Sequence, residues 1–138
     1  MLMNMLDEHC KEENSRSRKA YMESEYDFLY LPIDFRSNCN KGYAFVNFTH
    51  PDAAWTFNLS WRNRKWPDFK SSKIREITYA KLQGKEELIK QFEDSVFPCD
   101  REEYLPVRFV PPRNGSDRQR VQLCTVGVAV GRPSDSPR

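Results

Sequence analysis

The sequence predicts a single domain of the α+β class, in which helices pack against one antiparallel sheet. The chain has 138 residues, and a domain most often holds about 100 to 150. Three segments have the alternation or aromatic content of strands, and three others repeat apolar residues at helical spacing. Along the chain they follow the order helix, strand, strand, helix, strand, helix. We therefore expect one modest core between the helices and the sheet.

The first helix is predicted over residues 1–13, where apolar side chains recur at helical spacing and charged ones occupy the other side. No capping residue precedes the first apolar position, which indicates that the chain opens inside the helix. After the polar segment 14–20, the aromatic and apolar residues 26–33 (YDFLYLPI) predict a strand that ends near Pro32.

Residues 41–48 (KGYAFVNF) form the second predicted strand. Successive side chains of a strand point to opposite faces, so this segment divides into two sets. One face carries Ala44, Val46 and Phe48, and the other carries Tyr43, Phe45 and Asn47. We expect the first set to anchor the strand in the core and the second to form an open face.

The second half of the chain completes the pattern. Residues 50–61 predict a helix with Pro51 in its first turn, and a basic loop leads from it to a third strand over residues 74–80. Residues 85–93 predict a third helix, docked by Leu88, Ile89 and Phe92. From residue 97 onward the prolines predict an extended or disordered tail, so the expected domain boundaries are 1–96 and 97–138.

Composition excludes several classes of protein. Hydrophobic residues make up 38% and charged residues 30%, and the mean hydropathy is −0.81, so neither a membrane protein nor a low-complexity chain is expected. Aromatic residues reach 13%, whereas disordered chains are poor in aromatic rings. The net charge of +2 is too small to indicate nucleic-acid binding by itself, so only a local basic patch could contribute that function.

The cysteines predict reduced thiols. They stand at positions 10, 39, 99 and 124, and no two form a C-x-x-C pair. Asp7 and Glu8 interrupt the apolar residues at the start, so no secretory signal is expected. The most apolar late segment, 121–130, is too short to span a membrane.

The octamer 41–48 carries the functional signal. It satisfies every position of the ribonucleoprotein consensus K/R-G-F/Y-G/A-F-V-x-F/Y. Tyr43 and Phe45 stand one strand repeat apart and predict a flat platform for unpaired bases, each stack contributing about 1 to 3 kcal/mol. Lys41 would add a charge for a phosphate. The alternative is that both rings belong to a second buried face of a sandwich strand.

Other candidates extend this surface. Phe28 and Tyr30 share one face of the first predicted strand, but alternating leucines leave a core role equally consistent. The basic loop that follows the second helix could hold phosphates, with a solvated loop as the alternative. The candidate RNA-binding residues are Lys41, Tyr43, Phe45, Asn47, Phe28, Tyr30, Arg62, Arg64, Lys65, Thr78 and Lys81.

No pattern in the sequence predicts catalysis or a cofactor. His9 and His50 lie far apart, and neither has a cysteine or carboxylate at metal-ligand spacing. The sequence contains no G-x-S-x-G, no phosphate-binding glycine loop and no evident nucleophile with a base beside it. We therefore expect a binding protein that holds no metal and catalyses no reaction.

Five segments carry a resemblance to a known family. They are MLDEHCKEEN, YDFLYLPIDF, CNKGYAFVNFT, ITYAKLQGKEELI, and FPC followed by EYLPVRFVPPR. In them the chain resembles the C-terminal RNA recognition motif of Mei2-like proteins, and the last is similar to the terminal ear branch of plants. The resemblance implies an RRM-like, ferredoxin-like βαββαβ sandwich with an extra C-terminal helix, in which Tyr43 and Phe45 match the stacking positions.

The resemblance also implies a partner and a role. The partner would be single-stranded RNA, bound in post-transcriptional regulation of development or meiosis, in the nucleus or cytoplasm. Family members carry a first, central strand before helix one, and we expect its absence here to leave residues 41–48 and 74–80 with unpaired edges. Those edges could recruit a protein partner. Alternatives are a protein-interaction module whose helix 85–92 covers the platform, and an inactive truncated fragment.

Overall fold

A computed structural model describes residues 2–16, 23–34, 39–40, 42–62, 77–78, 80–99, 101–116 and 119–130. The helices are α1 (Leu2–Arg16), α2 (Pro51–Trp61) and α3 (Lys85–Phe92), with a short 3-10 helix at Glu102–Tyr104. The strands are β1 (Tyr26–Tyr30), β2 (Ile33–Asp34), β3 (Cys39–Asn40), β4 (Phe45–Phe48), β5 (Val96–Phe97), β6 (Val107–Arg113), β7 (Gln122–Thr125) and β8 (Val128–Ala129). Among the described residues no helix is long and apolar enough to cross a bilayer.

The main sheet has four antiparallel strands in the order β4-β1-β6-β7. Strand β1 lies inside the sheet, and all five of its residues are buried. Tyr30 pairs with Phe45 of β4, and Leu29 pairs with Val107 of β6. Two smaller pairs accompany this sheet, an antiparallel β2–β3 pair and a parallel β5–β8 pair. The expected α+β architecture with an added third helix is confirmed.

Two hydrophobic clusters lie on opposite faces of the sheet. The back cluster joins α1 and α2 to the sheet and contains Leu6, Cys10, Tyr26, Leu29, Phe57, Trp61 and Phe109. The front cluster joins α3 and the C-terminal segments to the sheet and contains Phe28, Tyr30, Leu88, Phe97, Cys99, Leu105 and Val126. Both faces of β1 are therefore covered, which explains why the strand has no exposed residue.

A charged side chain of helix α1 contacts strands β1 and β6. The Asp7 carboxylate accepts two hydrogen bonds from the Arg113 guanidinium, at 3.1 and 2.7 Å, and one from the Tyr26 hydroxyl at 2.6 Å. The turn after β6 then passes close beneath the helix, because a Cβ on Gly115 would lie 2.7 Å from the Lys11 amide nitrogen. Gly115 also has a φ of +86°, which glycine adopts without steric cost.

Helix α2 begins where the sequence predicts. His50 is the N-cap residue, and its Nδ1 accepts a 3.0 Å hydrogen bond from the Asp52 amide, while Pro51 occupies the first turn. Ala53, Phe57 and Trp61 form the buried side of the helix.

The prediction of an extended or disordered tail is wrong for the described residues between 97 and 130. They contain β6, β7 and β8, and Phe109 is one of the most deeply buried side chains, at 1% exposure. The prolines of β6 fall in its second half, after the alternation of Val107 and Phe109 has placed apolar side chains on the back cluster. Strand β6 forms because it pairs with β1, which lies far away in the sequence. The local composition of residues 107–113 does not predict such a contact.

The remaining strand predictions have mixed outcomes. Strand β4 begins at Phe45, so the strand predicted over 41–48 is shorter than expected. Most of the predicted strand 74–80 lies outside the described residues. Within it, Ile77 packs against the back cluster and Thr78 is exposed, and neither is in a strand. The expected unpaired edge beside residues 74–80 therefore stays a prediction.

Candidate nucleic-acid interface

The front face of the sheet gathers the aromatic residues that the sequence singles out. Val46 and Phe48 pack on the back cluster, whereas Phe45 packs on the front cluster, so the two faces predicted for this strand are confirmed. Phe28 and Tyr30 belong to the same front cluster. The structure thus resolves the orientation of β1 that the leucine alternation left open.

The rings at the open end of this face do not form a flat platform. Tyr43 is 53% exposed, and its ring centroid lies 5.8 Å from that of Phe45 with an interplanar angle of 88°. Phe45 is instead nearly parallel to Tyr30, at 6.3 Å and 14°. The expected coplanar pair is therefore wrong for this conformation, because Phe45 aligns with its cross-strand neighbour. Tyr43 presents the open ring.

Helix α3 covers the rest of the front face. The ring of Phe92 lies 4.9 Å from Tyr30, 6.2 Å from Phe45 and 6.3 Å from Phe28, where the two rings are stacked at 18°. Beneath it Phe28 is fully buried and Tyr30 is 8% exposed. In this conformation both rings are core residues, and no base can lie against Phe28.

A buried carboxylate lies beside Asn47, at the end of the β1–β4 pair that is farther from Tyr43. Asp27 is 7% exposed, and its Oδ1 accepts a 2.7 Å hydrogen bond from the Asn47 side-chain amide. Burial raises the pKa of Asp27, while the Asn47 hydrogen bond and the charge of Lys85 act in the opposite direction.

The structure describes two of the basic candidates, Arg62 and Lys81. Lys41, Arg64 and Lys65 lie outside the described residues. Arg62 follows the last residue of α2, where its backbone amide bonds to the Asn58 carbonyl, and its side chain is exposed. Thr78 and Lys81 are also exposed. Phosphate binding by these residues stays a prediction.

The thiols and carboxylates offer no metal centre in the described part of the chain, where no group of three or more His, Cys, Asp or Glu side chains is close enough to hold an ion. Cys10, Cys99 and Cys124 are free thiols. Burial raises the pKa of Cys10 to about 12, so this thiol is a packing group and not a nucleophile.

Comparison with known proteins agrees with this architecture. A family model described as RNA recognition motif 2 matches residues 1–93, about two thirds of the chain. The chain belongs to the RNA recognition motif 2 family. The resemblance inferred from the sequence is thus confirmed.

Three curated relatives of this RNA recognition motif 2 chain come from plants. It is 49% identical to the protein terminal ear1 homolog of Oryza sativa subsp. indica, over 83% of this chain and 18% of the relative. It is 46% identical to the protein terminal ear1 of Zea mays, over 85% of this chain and 18% of the relative. It is 39% identical to the protein MEI2-like 6 of Oryza sativa subsp. japonica, over 96% of this chain and 42% of the relative. The chain therefore spans less than half the length of each of these relatives.

Two features of this RNA recognition motif 2 domain were missed by sequence reasoning. One is Asp27, a carboxylate inside an otherwise aromatic strand, which the segment YDFLY could have revealed as an exception to its apolar pattern. The other is the set of rings that Phe92 contacts. The sequence predicts that Phe92 docks α3 and offers a covered platform only as an alternative, so it does not decide which face receives the helix.

Proposed function

We propose that this domain binds single-stranded RNA on the front face of its sheet, with a base stacked on Tyr43. The observation that carries the proposal is the exposure of that ring within a segment that satisfies the ribonucleoprotein consensus. Membership of the RNA recognition motif 2 family supports the same conclusion.

The wider role follows from the family. The relatives include terminal ear1 and MEI2-like proteins, and we propose post-transcriptional regulation of plant development or meiosis, without catalysis, in the nucleus or cytoplasm. Because the chain spans only part of each relative, this domain would supply RNA contact, and the other segments of the longer proteins would supply further functions.

The direct test compares two exposed aromatic residues. Tyr43→Ala should weaken binding of random-sequence single-stranded RNA by about 1 to 3 kcal/mol, the usual contribution of one base stack. Trp55→Ala is the matched control, because Trp55 is 47% exposed but lies on α2, behind the sheet. Fluorescence anisotropy titration measures both. Equal affinities for the parent and the Tyr43 variant would remove the stacking role.

A second candidate is a protein-interaction module. One observation favours it, namely that helix α3 already covers Phe28, Tyr30 and part of Phe45, so the front face makes apolar protein contacts. Salt separates the candidates. RNA held through several phosphates loses affinity steeply as the salt concentration rises, whereas an apolar protein contact does not.

A further inference from the structure

Helix α3 covers aromatic rings of the front face that could otherwise stack with bases. Phe92 of α3 contacts three front-face rings at centroid distances of 4.9 to 6.3 Å. Leu88, one turn earlier, is 3% exposed, and Ile89 packs beside it. These three side chains of α3 are called the cover. Phe92 stacks on Phe28, as a base would, and the other cover contacts bury the same front-face rings that bases would otherwise contact.

The cover depends on a helix that is weak by itself. Helix α3 has only eight residues, and its N-cap residue Gly84 makes no side-chain capping bond. Isolated helices of this length are marginal in water, so α3 is helical because the cover is docked. Its outer face contributes one ion pair, Glu87 to Lys90 at 3.8 Å, and both side chains are more than half exposed. Such a pair adds little.

The two ends of α3 differ in how firmly they are held. Gly84 has a φ of +90°, and the space where a Cβ would project from it is open. At the other end, a Cβ on Gly127 would lie 2.9 Å from the Phe92 carbonyl oxygen and 3.0 Å from the Ser95 carbonyl oxygen. Val128 also donates its amide hydrogen to the Ser95 carbonyl at 3.0 Å. The geometry therefore favours opening from the Gly84 end, with the β5–β8 pair left in place.

We propose that the cover is an intramolecular competitor of RNA, and that RNA binding displaces α3 from the sheet. This inference rests on the proposed function of the front face. A base enters on Tyr43, which is open, and further bases gain Phe45 and Phe28 once Phe92 has left. Tyr30 keeps its contact with Phe97, at 5.8 Å, because that ring belongs to β5. The apparent affinity is then reduced by the fraction of molecules in which the cover is open.

The test changes helix propensity without changing the cover or the net charge. Glu87 and Lys90 are both exposed and pair with each other, so replacing both by alanine or both by glycine removes one charge of each sign. Glycine disfavours a helix relative to alanine about fourfold to fivefold per position. The double glycine variant should therefore bind short random-sequence single-stranded RNA about 10- to 30-fold more tightly than the double alanine variant.

Thermal melting of both variants provides the folding control, and hydrogen exchange of the unmodified chain provides a second measurement. Saturating RNA should accelerate exchange of the Leu88 and Glu93 amides, which close α3 by bonding to the Gly84 and Ile89 carbonyls. Exchange in β1 should not accelerate.

The outcomes separate the two proposals. Binding that requires Tyr43 but is equal in the alanine and glycine variants, or slower exchange in α3 with RNA, would overturn displacement of the cover and leave the RNA site standing. If neither the parent nor the glycine variant bound RNA, the proposed function and the cover would fail together. If the glycine variant alone bound RNA, that result would support the cover as an inhibitor.

Discussion

Phe109 offers the sharpest test of the fold, because its side chain joins β6 to the back cluster. The structure places its side chain in the back cluster at 1% exposure, with its ring 5.3 Å from Tyr26 in an edge-to-face contact. The Arg113 guanidinium lies over the same ring at 5.4 Å. A disordered tail would leave Phe109 in solvent, so its truncation would then have no effect on stability.

The expected effect of Phe109→Ala follows from this burial. Removing a fully buried phenylalanine costs about 3 to 5 kcal/mol, since the transfer free energy of the ring is lost and a cavity remains. That is a large part of the 5 to 15 kcal/mol that stabilises a typical domain. The contact with Arg113 would also be lost, and with it part of the support for the Asp7 ion pair.

Urea denaturation followed by circular dichroism measures the change. Val110→Ala is the control, because Val110 is the next residue of β6 but is 45% exposed, and its truncation should cost well under 1 kcal/mol. A shift of the Phe109 variant's midpoint that matches the Val110 variant would show that β6 does not pack on α1 and β1. Such a result would refute the four-stranded sheet.

Two further predictions concern polar groups. Asp7→Asn should destabilise the fold by about 1 to 3 kcal/mol in denaturation experiments, because the half-buried Arg113 loses its charged partner at 2.7 Å. Glu103→Gln is the control, because it changes an exposed ion pair and should alter stability by less than about 0.5 kcal/mol. Equal effects of the two substitutions would contradict a stabilising role for the Asp7–Arg113 ion pair. Burial lowers the pKa of His9 below 6.5, so the folded state favours the neutral ring, and its contribution to stability is present above pH 6.5 and lost as pH falls below that value. As the pH falls through this range, the melting temperature should decrease less in His9→Gln than in the parent. His50→Asn is the control, because it keeps a capping side chain, and its melting temperature should follow that of the parent. If the melting temperature of His9→Gln fell as steeply as that of the parent, His9 would not be the group responsible.

The sequence predicts the elements that depend on local patterns. Helices α2 and α3 appear within about one residue of their expected ends, because capping residues and apolar spacing are properties of neighbouring positions. The two faces of β4 are also local, since side chains alternate in any strand. Strands β6 and β7 are not predictable in this way. Their proline and polar content is compatible with strand structure only when β1 is present to pair with β6.

Strand β1 shows where alternation fails. A strict period of two would place Tyr26, Phe28 and Tyr30 on one face. The pairing register of β1 with β4, and likewise with β6, shifts between Tyr26 and Phe28. Tyr26 therefore lies in the back cluster, whereas Phe28 and Tyr30 lie in the front cluster. A bulge of this kind is set by the two partner strands together, and a single segment of sequence does not encode it alone.

The sequence by itself determined the family and the identity of the candidate site. The consensus octamer places Tyr43, Phe45 and Asn47 on one face through the geometry of a single strand. Only the tertiary structure decided that Tyr43 is open while Phe45 is partly covered. Phe92 comes from helix α3, far along the chain, and its ring lies 6.2 Å from that of Phe45. Accessibility depends on everything that packs against a surface, and packing between distant segments is a property of the whole fold.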